Sequence, residues 1–150
     1  MNSLAFRVLD HHVIHGRADN VALVDGRGRP LTYAKLLELS AALAGGLRHI
    51  GVGPGSEVDL ESLEGTDHVL AVLACLRLGA VPSPGGSVVL GGDPVVVRTS
   101  EGEWAWDTVR GSGVSDPAGA PGADPDGYEQ RLRERHDALI ATLLAGGTLA

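Results

Sequence analysis

The 150-residue sequence holds one cysteine, one phenylalanine and, at Lys35, one lysine. A single cysteine, Cys75, allows no internal disulfide, which fits a reducing cytoplasm better than a stapled secreted scaffold. It lies in an apolar helical stretch and reads as a small buried hydrophobe. Basic residues are scarce: 12 Lys+Arg face 19 Asp+Glu, for a formal net charge of −7. That balance argues against nucleic-acid and anionic-membrane partners, which need a basic face. The longest apolar stretch, Val69 to Val81, is interrupted by Arg77 and is too short to span a bilayer. Met1-Asn2-Ser3-Leu4-Ala5-Phe6-Arg7 lacks the basic and apolar regions of a secretory signal, so a soluble, cytoplasmic protein is expected. Three motifs are also missing: G-x-S-x-G, zinc-ligand spacing, and a G-x-G-x-x-G that follows a strand. Gly51-x-Gly53-x-Gly55 follows a helix instead, the wrong context for a phosphate loop. No cofactor and no resident metal are expected.

What is present is periodicity. Ser3 is placed to cap a helix over residues 4–15 that Gly16 closes. Val21–Val24 and Arg29–Thr32 flank Asp25-Gly26-Arg27-Gly28, a hairpin signal. Thr32 caps a helix from Tyr33 to His49, where Leu36, Leu43, Leu47 and Ile50 keep the 3.6-residue period. Residues 57–63 read as a strand, and Thr66 caps an apolar helix over 67–78 that is expected to be buried. Two β-branched runs follow, Ser87–Leu90 and Pro94–Thr99. This alternation predicts an α/β domain over residues 1–110, a small, mainly parallel sheet with helices on both faces. Residues 111–127 are rich in Gly, Ser, Pro, Asp and Ala and predict a flexible linker. Asp124 as cap, Pro125 at the first helical position and Gly146-Gly147 as stop then predict a C-terminal amphipathic helix, 128–146.

Four pieces in register carry a resemblance: Ala22-Leu23-Val24-Asp25, Leu31-Thr32-Tyr33-Ala34, Gly51-Val52-Gly53-Pro54-Gly55, and Leu73-Ala74-Cys75-Leu76-Arg77-Leu78-Gly79-Ala80-Val81-Pro82. Together they resemble the extreme N-terminal region of the adenylate-forming superfamily, which comprises acyl-CoA synthetases, peptide-synthetase adenylation domains and luciferases. The resemblance runs from about Leu4 to Pro84. It implies a Ser/Thr/Gly-rich phosphate loop ending in Lys-Gly, an acidic residue for the ribose and a mobile C-terminal lysine, all further along such chains. No such loop occurs in these 150 residues, and Gly85-Gly86 and Gly91-Gly92 have no following lysine. A truncated, non-adenylating homologue is therefore expected, because holding ATP phosphates takes backbone donors plus a cation.

Departures from the family pattern carry the candidate chemistry. The strand at 57–63 is nearly all apolar in such enzymes, whereas here Val58 and Leu60 alternate with Asp59 and Glu61. Two unpaired buried carboxylates would each cost several kcal/mol. The face is therefore either newly solvated or partnered. Glu61, Glu64, Asp67 and His68 gather near the carboxyl end of that strand, where open α/β sheets place ligands. Glu61, Glu64 and His68 are the candidate catalytic residues, as an acid–base pair acting on a small or acyl substrate, with metal ligation as a variant. His11 and His15 stand four apart on a helix, a spacing competent for two metal ligands, but they read more simply as a solvated helix end. Trp104 and Trp106 alternate and are expected on one side of a strand. The expected role is that of an accessory or interaction protein in a biosynthetic pathway, with a homodimer or a partner protein covering surface the rest of an enzyme would hide. An ATP-independent enzyme and an inactive product are the alternatives.

Overall fold

The computed structural model describes residues 3–150. Two short π-helical turns, Phe6–Asp10 and Val13–Arg17, open the described chain. The Ser3 hydroxyl accepts the Phe6 amide at 3.3 Å, as a cap should. Gly16, at φ 88°, ends the helical path where an L side chain would be strained. Strands β1 (Val21–Val24) and β2 (Pro30–Thr32) pair antiparallel as a separate hairpin. Its turn is tied by Asp25, whose carboxylate accepts the Arg27 and Arg29 amides at 2.9 Å each. Helix α1 (Tyr33–His49) starts on the Thr32 hydroxyl, which accepts the Lys35 amide at 3.1 Å.

A five-stranded sheet follows, in the order β4-β3-β5-β6-β7. Strand β3 (Glu57–Asp59) pairs parallel with β4 (Val81–Pro82) and with β5 (Val88–Gly91), and helix α2 (Gly65–Leu78) makes the crossover between β3 and β4. Strands β6 (Val96–Thr99) and β7 (Gly102–Ala105) extend it antiparallel. The fold is α/β, as expected, with parallel pairing at one end of the sheet and a meander at the other.

The strand expected over 57–63 ends at Asp59 for a local reason. The Asp59 carboxylate accepts the Glu61 and Gly85 amides, both at 3.0 Å, and turns the chain out of the sheet. Registration explains the alternation: Val58, Val88, Leu90 and Val97 are buried on one face. Asp59, Val89, Arg98 and Glu103 form a row across the other face, where Arg98 pairs with Glu103 at 3.1 Å in the open.

Helix α2 is buried from Val69 to Leu78. Arg77 lies within it, 6% exposed, with its guanidinium clasping both carboxylate oxygens of Asp10 at 2.7 and 3.2 Å and donating to the Ala118 carbonyl at 2.7 Å. This satisfies a charge that would otherwise be very costly in such a helix.

The region after Arg110 differs from the linker reading. Trp106–Val114 forms a helix, α3, that carries Gly111 to Val114 within it. The glycines expected to loosen this stretch instead let it approach α1: a Cβ at Gly113 would overlap the Ala42 carbonyl, and one at Gly46 would overlap the Val109 carbonyl. Ala118 then donates its amide to Ala41 at 3.0 Å. Trp104 and Trp106 do not share a strand, because Trp104 belongs to β7 and Trp106 begins α3.

Helix α4 spans Tyr128–Leu144 and folds back onto its own chain. Asp124 does not cap it; its carboxylate accepts the Leu4 amide at 2.7 Å, at the start of the first helical turn. The position before α4 is Gly127, at φ 75°. The Tyr128 hydroxyl, buried, reaches the Ala80 carbonyl at 2.6 Å and the Cys75 carbonyl at 3.1 Å. At the other end, the ring Nε2 of buried His12 meets the Leu143 carbonyl at 2.6 Å. Leu149 lies beside Leu23, with its amide donating to Ala22 at 2.7 Å and its carbonyl accepting from Val24 at 2.9 Å.

Candidate functional site

The turn set by Asp59 projects Glu61 into the open, while Glu64 occupies the position just before α2 and is also exposed, without a side-chain capping bond. His68 lies on the first turns of α2, half-buried, and burial pushes its imidazole below the ordinary value, partly countered by the Glu61 charge. The side chain that meets it was not among the sequence candidates. His136 of α4 brings its ring to a centroid distance of 5.3 Å from His68, tilted by 47°. Burial lowers the His136 imidazole too, with the His68 charge acting in the same direction. Arg135, its neighbour, pairs with Glu61 at 3.6 Å, both side chains more than half exposed.

The structure therefore joins Glu61 and His68 through α4, in a group with His136 and Arg135, and leaves Glu64 at its margin. Asp67 points elsewhere: burial raises its carboxyl, and the charges it feels are those of Arg110 and Asp107 on α3. Nothing in the local sequence around 61–68 signals His136, since the two elements are more than sixty residues apart. The one available signal was the period of α4, on which His136 falls one turn before Ile140, a buried position.

Among the described residues, no group of three or more His, Cys, Asp or Glu is arranged to hold a metal ion. His11 and His15 do lie ring to ring, 4.4 Å between centroids and tilted 43°, on the exposed helix end. Buried His12 is committed to Leu143 and packs edge-on to Tyr33 at 4.9 Å.

The glycine pairs are used for structure. The Gly85 amide goes to the Asp59 carboxylate, a Cβ at Gly91 would crowd Ser62, and Gly45-Gly46 lie under residues 109–117. A larger concavity, about 860 Å³, opens between α1, α3 and residues 117–119. Leu37, Ala41, Val114 and Pro117 give it apolar walls, the Asp10–Arg77 pair lies at one end, and Lys35, Glu38, Asp107 and Arg110 line its remaining edges.

Comparison with known proteins places this geometry. The sequence profile described as "AMP-binding enzyme" matches residues 10–87, just over half of the chain. Among characterised relatives, the hybrid PKS-NRPS synthetase thnA of Trichoderma harzianum is 41% identical over 66 residues, covering 44% of this chain and 2% of that protein. An acetyl-coenzyme A synthetase of Deinococcus radiodurans is 36% identical over 94 residues, 60% of this chain and 14% of that one. Among solved structures, apo MatB from Rhodopseudomonas palustris superposes with a TM-score of 0.51 at 25% identity, over 56% of this chain and 16% of the other. The fused adenylation–PCP di-domain NpsA-ThdA of Klebsiella oxytoca gives the same TM-score at 26% identity, over 56% of this chain and 15% of that chain. The chain thus spans only a small part of the length of these relatives. No described helix is long and apolar enough to cross a membrane. The hairpin, α1, β3 and the buried α2 all fall within the matched span, and on that ground the chain belongs to the AMP-binding enzyme family.

Proposed function

We propose that these 150 residues act as a non-adenylating accessory or interaction protein beside a biosynthetic synthetase or carrier protein. One observation carries the reading. Residues 88–150, beyond the family match, pack back over the matched half through α3, through the Tyr128 hydroxyl and through the 147–149 bonds to β1 and α1. The chain thus covers much of its matched half with its own later segments, which supports a module whose business is with another protein. The adenylation–carrier di-domain among its structural relatives supports a carrier protein or an adenylation domain as such a partner.

The test is direct. With ATP, Mg²⁺ and a panel of short and long carboxylic acids, the purified chain should release neither AMP nor pyrophosphate and should not gain thermal stability. Release of AMP sinks the proposal. Titration of carrier proteins and adenylation domains against the labelled chain should give a saturable complex with at least one of them. Light scattering of the same sample tests the proposed homodimer; a monomer at all concentrations removes it.

A second reading, an ATP-independent enzyme acting on a small or acyl substrate, rests on the meeting of Glu61, His68 and His136. A carboxylate beside two imidazoles of lowered basicity is equipped to accept a proton near neutral pH. Glu61→Gln and His68→Gln would abolish turnover with an unchanged melting temperature under this reading, with a smaller loss for Glu64→Gln at the margin. Under the accessory reading all three variants would leave partner binding intact.

A further inference from the structure

Helix α4 is fixed at both ends and broken in the middle. Its first residue is tied by the Tyr128 hydroxyl to Cys75 of α2 and to Ala80 in the connection to β4, and its last turn by His12 on the Leu143 carbonyl. Between these pins the backbone leaves the helical region at one residue, His136, with φ −126° and ψ 28°. That residue is the one whose ring meets His68 of α2 in a tilted contact. A local break in a helix needs an identifiable cause, and here it coincides with the side-chain contact that spans the two helices.

We propose that the His68–His136 contact is an acid-sensitive joint: protonation of both rings opens the middle of α4 from α2 while both ends stay docked. The groups facing the pair are few. From the turn after β3 comes Glu61; from α4 comes Arg135, which already engages Glu61; from α2 comes His68 itself. Two neutral rings at 5.3 Å pack as an ordinary half-buried contact. A single proton can be shared or balanced by Glu61, whereas a second places two like charges in the same half-buried space, with Arg135 adding a third.

The sign follows from burial. Both rings favour the neutral form when folded, so their contribution to stability is present above the ordinary imidazole value and is lost as pH falls below it. His12 serves as an internal control. Its bond to the Leu143 carbonyl needs only a ring N–H, which imidazole and imidazolium both supply, so the C-terminal pin should hold across the window. This inference goes beyond both functional readings and depends on neither.

Hydrogen exchange on the full chain between pH 5.5 and 7.5, corrected for the intrinsic rate, tests it. The window stays above the ordinary carboxylate range. Amides of residues 133–139 should lose protection on acidification, while those of 69–76 in α2 and 141–145 keep theirs. The loss should vanish in the double variant His68→Gln, His136→Gln. Uniform loss along α4, no loss in the wild type, or persistence in the double variant would each overturn the joint. Should the double variant fail to fold, the ring protons of the wild type decide by NMR titration. Two coupled transitions below the free imidazole value support the proposal, and two independent ordinary ones refute it.

Discussion

The two halves of this molecule achieve burial by different means. Residues 10–87, the family-matched span, bury apolar side chains at helical and strand period: from Val69 to Leu78, α2 is all Val, Leu, Ala and Cys except Arg77 and disappears into the core. Residues 88–150 bury fewer, among them Leu90, Val97, Trp106, Leu132, Ile140 and Leu143. They add close backbone approach and hydrogen bonds: Gly113 lets α3 press against the Ala42 carbonyl, and a tyrosine hydroxyl and the 147–149 segment bond to the carbonyls and strand edges of the first half. Side-chain area is forgiving of small changes, whereas close backbone approach is not. The added half should therefore be the more fragile under substitution although it contributes less of the core.

The largest effect expected from that contrast is at Gly113. Gly113→Leu forces a side chain into the Ala42 carbonyl and should cost about 3 kcal/mol or more, seen as a lowered denaturant midpoint. A single unchanged transition would break the comparison, because it would mean that α3 is only loosely attached. Next comes Asp10→Ala, which leaves the buried Arg77 guanidinium with only the Ala118 carbonyl. Losing one partner of a fully buried pair costs ~3–5 kcal/mol, and the partial exposure of Asp10 reduces that to roughly 2 kcal/mol by thermal unfolding. Arg77→Met removes both charge and demand, and should be milder than Asp10→Ala.

Tyr128→Phe deletes two hydrogen bonds but keeps the ring, so about 1 kcal/mol is expected, together with faster exchange in the first turn of α4. If it costs nothing, the second half is held by something other than its backbone contacts. The smallest effect is Glu61→Gln. Its pair with Arg135 is exposed and 3.6 Å long, so the change in melting free energy should stay within about 0.5 kcal/mol. That near-neutrality is useful, since any loss of turnover in Glu61→Gln then reports chemistry and not folding.

Legibility in the sequence followed the same division. Helix α1 runs from Tyr33 to His49 with its Thr32 cap, and β1 spans Val21–Val24, as their periodicity and turn residues predict. Cys75 is buried in an apolar helix as its composition predicts. The failures share a cause. Strand β3 stops early because Asp59 spends its carboxylate on Glu61 and Gly85, a turn invisible to period counting. Asp124 and Pro125 look like a helix start, but Asp124 serves a different helix, 120 residues away. Helix α3 was hidden by its glycines, which read as flexibility when considered alone and as close packing once α1 is beside them. In the candidate site, local spacing identified Glu61 and His68, whereas His136 required knowing which face of α4 meets α2. Apart from the local Asp59–Glu61 bond, each miss turns on a long-range contact between groups that propensity treats one at a time.

The buried thiol has a use of its own. Cys75 is the only sulfhydryl in the chain, sits in the last turn of α2, and burial pushes its ionisation up to about 12. A thiol reagent at mild alkaline pH therefore meets almost no thiolate while the helix is in place. Every modification event counts one opening of the core, so the rate at which a single colour or mass change accumulates is a clock for global unfolding. Read beside amide exchange in α4, that clock separates motions confined to the second half from those that dismantle the whole molecule.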